Sequence, residues 1–230
     1  MRLSDDYTPP LGWPWRYIDG APCDAEARSI RGDCTPYPTR VTRMLMSFST
    51  RLIILSARTR FRILVSGAFP SAGCVLVSYH NSYWDGVVVS ALNPRVVPIT
   101  GRRWGSNRIV GWYLNAYGVL WTESNSVARA TRYVERGGMS WAAPYTFDRG
   151  GAAAAHHGPA RISIGGRVPV IPMTFTGLSR ERRKRWRRGV ARVVIGAPLW
   201  PHDGESAEDF TTRYEAALRA ANITPGGGTA

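Results

Sequence analysis

His80 and Asp85 are the two residues whose types and spacing most directly suggest catalysis in this sequence. They lie in a polar turn between an apolar, β-branched run at residues 75–77 and a second apolar run at residues 86–92. On one continuous helix, residues five apart point about 140° away from each other, so the pair could not meet. If His80 instead closes a strand and Asp85 falls in the first turn of a helix, the two side chains can come together. The carboxylate would then fix one imidazole nitrogen and leave the other to act as a general base.

The same two residues also have a purely structural interpretation. His80 can be a hydrogen-bonded loop histidine, and Asp85 can cap a helix, because a carboxylate near a helix N-terminus is favoured. His and Asp at this spacing often occur together by chance, so the pair alone leaves both interpretations open. A hydrolase that used the dyad with Ser78 or Ser82 is a third idea, which rests only on the proximity of these serines in the sequence.

Strand-like and helix-like segments alternate from residue 60 onwards. Short apolar runs predict strands at residues 60–66, 75–77, 95–100, 119–122, 168–175 and 190–195, and amphipathic or Gly-closed runs predict helices at residues 86–92, 109–116, 126–136 and 206–221. This alternation predicts an α/β fold with a twisted, largely parallel central sheet flanked by helices. Ligands of such sheets bind beyond the carboxyl ends of the strands, which is where a strand-to-helix turn holding His80 and Asp85 would lie.

One predicted strand contains Pro169 and Pro172 around an apolar core. Because proline lacks a backbone N–H and restricts φ, we expect this strand to lie at a sheet edge or to end abruptly.

The order of these features resembles the glycerolipid acyltransferase family, whose bacterial members acylate lysophosphatidic acid. The resemblance begins with a strand, Gly67, a Pro-Gly loop at residues 69–73, a second strand and the H-x4-D pair. It continues with the Gly-rich segment at residues 158–166, the Val168-Pro-Val-Ile-Pro172 strand and Gly196-Ala-Pro198, and so spans roughly residues 60 to 220. It implies that His80, oriented by Asp85, moves an acyl group to a hydroxyl of a lysophospholipid, glycerol phosphate or related lipid acceptor. The acyl donor would be acyl-CoA or acyl-carrier protein, and no resident cofactor or metal is implied.

The chain departs from the family pattern in two short sequence motifs, the second and third blocks of the family, which recognise the acceptor. The second block of the family ends in an arginine that holds the phosphate of the acceptor, and the corresponding residue here is Ser124. The third block normally reads Pro-Glu-Gly, whereas this chain has Pro144 followed by Tyr145 and Thr146. The residue before the histidine, usually Asn, is Tyr79. We therefore expect Ser124, Tyr145 and Thr146 to line the acceptor site of a divergent member.

Three arginines could supply the charge that these blocks lack. Arg102 and Arg103 lie in a loop that should follow a strand, and Arg149 follows the third block. Arginine matches the geometry of a phosphate group well, so these residues are the candidates for contacts to the substrate. The alternative is that each is a solvated surface residue, which is the more common role of such an arginine.

The charge of the chain predicts anionic partners. The 30 basic residues exceed the 16 acidic ones and give a formal net charge of +14. An anionic membrane surface, a phosphorylated substrate and nucleic acid share this electrostatic signature. Nucleic acid is the less favoured partner because it does not explain the ordered blocks. A non-catalytic descendant that binds lipid is the other alternative.

The predicted organisation is an N-terminal arm at residues 1–40, an amphipathic helix at residues 41–59, an acyltransferase-like α/β domain at residues 60–222 and a disordered tail at residues 223–230. The helix has an apolar stripe that could face either the core or an anionic bilayer. The three cysteines lack metal-ligand spacing and favour a reducing compartment. With no apolar run long enough to span a bilayer, the sequence predicts a cytoplasmic protein peripherally associated with the cytoplasmic membrane.

Overall fold

The computed structural model describes residues 55, 59–79, 82–93, 96–101, 114, 119–122, 126–143, 156–178 and 189–223. The strands within these ranges are β1 (Phe61–Ser66), β2 (Cys74–Ser78), β3 (Val96–Thr100), β4 (Leu120–Trp121), β5 (Met139–Ala142), β6 (Val170–Thr176) and β7 (Gly189–Ile195). The helices are α1 (Tyr83–Leu92), α2 (Ser126–Glu135), α3 (Gly158–Gly166) and α4 (Ala207–Ile223).

The described strands form one seven-stranded sheet in the order β1-β7-β6-β2-β5-β3-β4. Neighbouring strands are parallel throughout, except that β6 and β7 are antiparallel. The predicted α/β class with a largely parallel sheet is therefore confirmed. Since β6, β2, β5, β3 and β4 run in the same direction, their carboxyl ends meet at one edge of the sheet, which we call the carboxyl edge.

Two apolar layers cover the two faces of the sheet, and alternation along β2 shows how the sequence builds them. Leu76 points into a cluster that α1 completes with Val88, Val89 and Leu92. Val75 and Val77 point to the opposite face and join a cluster built from α2, α3 and α4. All five residues of β2 are buried, as expected for a strand that is covered on both faces.

The helices that follow the sheet show ordinary start and stop signals. The N-terminus of α4 is preceded by Ser206, whose hydroxyl accepts the backbone N–H of Asp209 at 3.1 Å, a helix-capping arrangement. Gly137, with φ of +85°, follows the end of α2. At the end of α3, Arg167 adopts the left-handed conformation with φ of +48°, and the Ser163 hydroxyl donates to the carbonyl of Val168.

The expectation that the Pro169–Pro172 segment forms an edge strand or ends abruptly is wrong. Strand β6 lies between β2 and β7 and continues to Thr176. The carbonyl of Pro172 accepts the N–H of Gly196 at 2.8 Å, so the polar backbone groups of Pro172 face the β7 side. Strand β7, which pairs with β6 on that side, ends at Ile195, so the residue opposite Pro172 lies just beyond the end of β7. The backbone N–H that Pro172 lacks would therefore point to the position where β7 has already ended. The pairing of β6 with β2 is unaffected, because the backbone groups of the alternate residues of β6 face β2.

The predicted arm at residues 1–40 lies outside the described residues, as does most of the predicted helix at residues 41–59. Leu55, a member of the apolar stripe of that helix, is 56% exposed and does not pack into the core. The tail beyond Ile223 also lies outside the described residues. Among the helices that the structure describes, none has the length and apolar character needed to cross a bilayer.

Candidate active site

The predicted site residues all follow strands that end at the carboxyl edge. His80 comes two residues after the end of β2. Arg102 and Arg103 come two and three residues after the end of β3, and Ser124 comes three residues after the end of β4. Tyr145, Thr146 and Arg149 follow β5. In each case the chain leaves the sheet at this edge. The seven residues themselves lie outside the described residues, so their contacts remain predictions.

Asp85 is the predicted site residue that the structure describes, and it lies in the first turn of α1. It is fully buried, with no exposed surface. Its Oδ2 accepts the backbone N–H of Ser82 at 2.9 Å. In return the hydroxyl of Ser82 accepts the backbone N–H of Trp84 at 3.2 Å, and the two residues form a capping box. The predicted position of Asp85 in the first helical turn is confirmed.

The capping interaction and a catalytic role for Asp85 are chemically compatible. A carboxylate has two oxygens with about four lone-pair sites, so the bond from Ser82 does not exhaust its capacity to accept hydrogen bonds. That bond fixes the orientation of the carboxylate, and the helix N-terminus stabilises its negative charge. The side chain of Asp85 is thus buried and oriented by its hydrogen bond from Ser82, and it lies five residues after His80 in sequence.

The first backbone amides of α1 are poorly placed to stabilise an oxyanion. The backbone N–H groups of Ser82 and Trp84 donate within the capping box, and that of Asp85 donates to the carbonyl of Ser82 at 3.1 Å. These three amides are therefore already engaged. Any oxyanion hole built from backbone N–H groups must draw on other amides.

Trp141 connects the end of β2 to the start of α1. Its indole N–H donates to the hydroxyl of Ser78 at 2.9 Å, and both side chains are buried. On its other side the ring lies against Gly86, where an added Cβ would be 3.3 Å from Cζ3 of Trp141. The indole therefore occupies the space between the last residue of β2 and the residue that follows Asp85.

Aromatic side chains extend this packing along the same face of the sheet. Phe61, the first residue of β1, contacts Trp84 edge to face, with ring centroids 5.3 Å apart. Trp84 and Phe69 are partly buried and pack against the cluster that contains Trp141. The first turn of α1 is thus bordered by apolar rings beside the Asp85 carboxylate. By contrast, Tyr79 packs against the cluster on the opposite face of the sheet.

Sequence interpretation did not find the hydrogen bond between Trp141 and Ser78. It also did not find the buried position of Arg129. Arg129 lies in α2, near the carboxyl edge, and is fully buried. Its signal in the sequence is its position beside Ala130 and one turn before Tyr133, on the apolar face of a helix. Trp141 gives no comparable signal, because a tryptophan in a strand most often fills the core.

A second cluster of polar contacts joins the start of α3 to α4. Nδ1 of His157 lies 3.1 Å from the hydroxyl of Thr211, and the hydroxyl of Tyr214 donates to the carbonyl of His156 at 3.3 Å. Burial raises the pKa of Tyr214 to about 12. These contacts hold the start of α3 against α4.

Comparison with known proteins identifies the family of the chain and a structure that shares its fold. The sequence model of the acyltransferase family matches residues 62–176, which is half of the chain, and the chain belongs to this family. It is therefore an enzyme that transfers acyl groups. No match is found among curated protein sequences.

The fold is similar to that of the 1-acyl-sn-glycerophosphate (LPA) acyltransferase PlsC from Thermotoga maritima. The TM-score is 0.62 at 15% sequence identity, and the match covers 84% of this chain and 86% of that chain. At this level of identity, the similarity establishes a shared fold.

Proposed function

We propose that the chain is a glycerolipid acyltransferase in which His80 and Asp85 form the general-base dyad. His80 takes the proton of an acceptor hydroxyl as the oxygen attacks the carbonyl carbon of an acyl thioester. The tetrahedral intermediate then collapses, the C–S bond breaks, and the thiolate recovers the proton from the imidazolium. The products are an ester and a thiol, and neither an acyl-enzyme nor a resident cofactor or metal is required.

The observation that carries this proposal is the buried, oriented carboxylate of Asp85 at the carboxyl edge. An aspartate with no exposed surface is costly to bury unless it is hydrogen-bonded or paired. In a family that transfers acyl groups, a carboxylate held in this way beside a strand-to-helix turn is suited to fix the tautomer of a histidine. The connection between β2 and α1 contains His80, and this residue is the natural partner.

The acceptor is proposed to be a lysophospholipid, a glycerol phosphate or a related lipid alcohol. Arg102, Arg103 and Arg149 follow strands at the carboxyl edge and are the proposed contacts to an anionic headgroup. In the family, two sequence blocks recognise glycerol phosphate, and the corresponding residues here are Ser124, Tyr145 and Thr146. We propose that these three residues line the acceptor site. The donor is proposed to be acyl-CoA or acyl-carrier protein.

The reaction is proposed to take place at an anionic membrane surface. The net charge of +14 favours anionic lipid. Large apolar side chains are exposed at Leu55, Val194 and Trp200, the last with 54% of its surface accessible. Peripheral association with the cytoplasmic membrane would bring the enzyme to its acceptor, and co-sedimentation with vesicles that contain phosphatidylglycerol tests it.

Thiol release from acyl-CoA and from acyl-carrier protein, measured against a panel of lysophospholipids, glycerol phosphate and lipid alcohols, tests the proposed activity. We expect acceptor-dependent release from the wild type and none above background from His80→Ala. Equal release from both proteins would rule out His80 as the base. Retained lipid binding with no release from any donor would identify a binding-only descendant, and a steep salt dependence of binding to nucleic acid would identify the other alternative.

A further inference from the structure

We propose that Trp141 is a positioning residue of the acyl-transfer site, which sets the spacing between the end of β2 and the first turn of α1. This inference rests on the proposed function, because Trp141 contacts Ser78 and Gly86, and the proposed dyad of His80 and Asp85 lies between these two residues in sequence. Trp141 itself need not touch the substrate. It acts by holding Ser78 and Gly86 on either side of its ring.

The sheet register places Trp141 for this contact. In the parallel pairing of β2 with β5, Leu76 lies opposite Trp141 and Val77 opposite Ala142. Ser78 is therefore the diagonal neighbour of Trp141 on the same face of the sheet, a separation that a long aromatic side chain can cross. The hydrogen bond of 2.9 Å joins residues 63 positions apart in sequence.

The two partners depend on each other because both are buried. Ser78 has no exposed surface, and Trp141 is 5% exposed. Removing either partner would leave a buried polar group without its hydrogen bond, and such a group is expected to seek another partner by moving. Ser78 is the last residue before the connection that holds His80, so movement there is transmitted directly to the base.

The opposite side of the ring limits how closely α1 can approach. Gly86 follows Asp85 directly, and a Cβ at this position would be 3.3 Å from Cζ3 and 3.8 Å from Cη2 of Trp141. The absence of a side chain at Gly86 allows the helix to lie directly on the indole. A smaller ring at residue 141 would leave space into which the first turn of α1, and Asp85 with it, could shift.

Such a shift matters because catalytic groups tolerate little displacement. A misplacement of about 1 Å can reduce a catalysed rate by about 100-fold. An indole that contacts both ends of the connection is a direct means of preventing it. The side chain of Trp141 is itself held by its hydrogen bond to Ser78 and its packing against Gly86, so it can hold the residues that flank the dyad in place.

The test compares Trp141→Phe, Ser78→Ala and the double variant with a matched control, Tyr214→Phe. The control also removes one buried hydrogen-bond donor, but in the cluster on the opposite face of the sheet. We expect kcat to fall about 10- to 100-fold in each single variant with KM for acyl-CoA nearly unchanged. The double variant should be no worse than Trp141→Phe, because Trp141→Phe already removes the hydrogen bond to Ser78. Tyr214→Phe should keep the wild-type kcat.

A second readout does not depend on turnover. In proton NMR spectra, an imidazole N–H held by a carboxylate gives a slowly exchanging downfield resonance, which can be assigned to His80 from its absence in His80→Ala. We expect this resonance in the wild type and in Tyr214→Phe, its loss in Asp85→Asn, and its weakening in Trp141→Phe and Ser78→Ala.

The outcomes separate the inference from the function on which it rests. If the wild type is active and shows the resonance, but Trp141→Phe and Ser78→Ala match it in both, the positioning role is wrong and the proposed function stands. If single-variant effects multiply in the double variant, Trp141 and Ser78 act independently and the proposal is also wrong. If the wild type shows neither turnover nor the resonance, the proposed dyad fails and this inference fails with it.

Discussion

The backbone N–H of Ser82 donates to Oδ2 of Asp85 at 2.9 Å, so the carboxylate proposed to orient His80 also caps α1. The structural and the catalytic interpretations of this aspartate are therefore not alternatives. The cap provides the rigidity that an orienting carboxylate requires.

Asp85→Asn separates the two roles. The amide oxygen of asparagine can still accept the N–H of Ser82, so the free energy of unfolding should fall by only about 1 kcal/mol. The negative charge that would hold the histidine is lost, and kcat should fall by about 10²- to 10⁴-fold. Chemical denaturation and steady-state kinetics measure the two effects.

Asp209→Asn provides the matched control, because Asp209 takes part in the hydrogen bonds that cap α4 with Ser206. It should reduce stability slightly and leave kcat unchanged. A wild-type kcat in Asp85→Asn would limit Asp85 to the capping role.

Gly73→Ala should destabilise the fold, because no side chain fits at this position. A Cβ there would lie 1.9 Å from the carbonyl oxygen of Val134, and that oxygen belongs to the backbone. Relief requires the loop before β2 to move away from the end of α2, at a cost of about 1–3 kcal/mol. Thermal unfolding checks this, with Gly158→Ala as control, since a Cβ at Gly158 meets nothing within 4 Å. Equal melting temperatures for the two variants would contradict the close approach.

The pair formed by Glu205 and Arg213 should make stability depend on pH on the acidic side. Arg213 donates to both carboxylate oxygens of Glu205, at 2.9 and 2.6 Å, and this interaction lowers the pKa of Glu205 below its ordinary value of 4.5. A lowered pKa means that the stabilisation is present above pH 4.5 and is lost as the pH falls through the pKa of the folded state.

Urea unfolding of Glu205→Gln should therefore show a deficit of less than about 1 kcal/mol at pH 7 that disappears at low pH. Glu215→Gln is the control, because Glu215 pairs with Arg219 at 3.5 Å and Arg219 is largely exposed. A deficit for Glu205→Gln that persists at low pH would mean that the charge is not its cause.

Tyr214 should make stability depend on pH on the alkaline side. Burial raises its pKa from 10.0 to about 12. The neutral phenol is favoured in the folded state, so its stabilisation is complete below pH 10 and is lost as the pH rises towards 12. Tyr214→Phe should lose less stability than the wild type between these values, which denaturation at pH 9 and pH 11 measures. Parallel losses in the two proteins would place the alkaline transition elsewhere.

The elements that position the site could be predicted from local pattern. The β-branched run at residues 75–77 and the apolar run at residues 86–92 predicted β2 and α1, and the turn between them predicted Asp85 in the first helical turn. Local periodicity and capping chemistry suffice here because they depend on residues close together in sequence.

Features that depend on distant residues could not be predicted in the same way. Pro172 lies inside the sheet because β7 is interrupted opposite it, and the sequence around Pro172 does not contain that information. The contact between Trp141 and Ser78 joins two strands whose register is set by the whole sheet. The burial of Arg129 likewise follows from the packing of α2 rather than from its own sequence.

The most direct test of the central claim is the formation of acylated lipid from isotopically labelled acyl-CoA and a lysophospholipid, followed by mass spectrometry for the wild type and His80→Ala. The proposed dyad predicts labelled product from the wild type and none above the uncatalysed rate from His80→Ala, with both proteins folded by circular dichroism. Equal product from both proteins would contradict it, because the acceptor hydroxyl would then be deprotonated without His80.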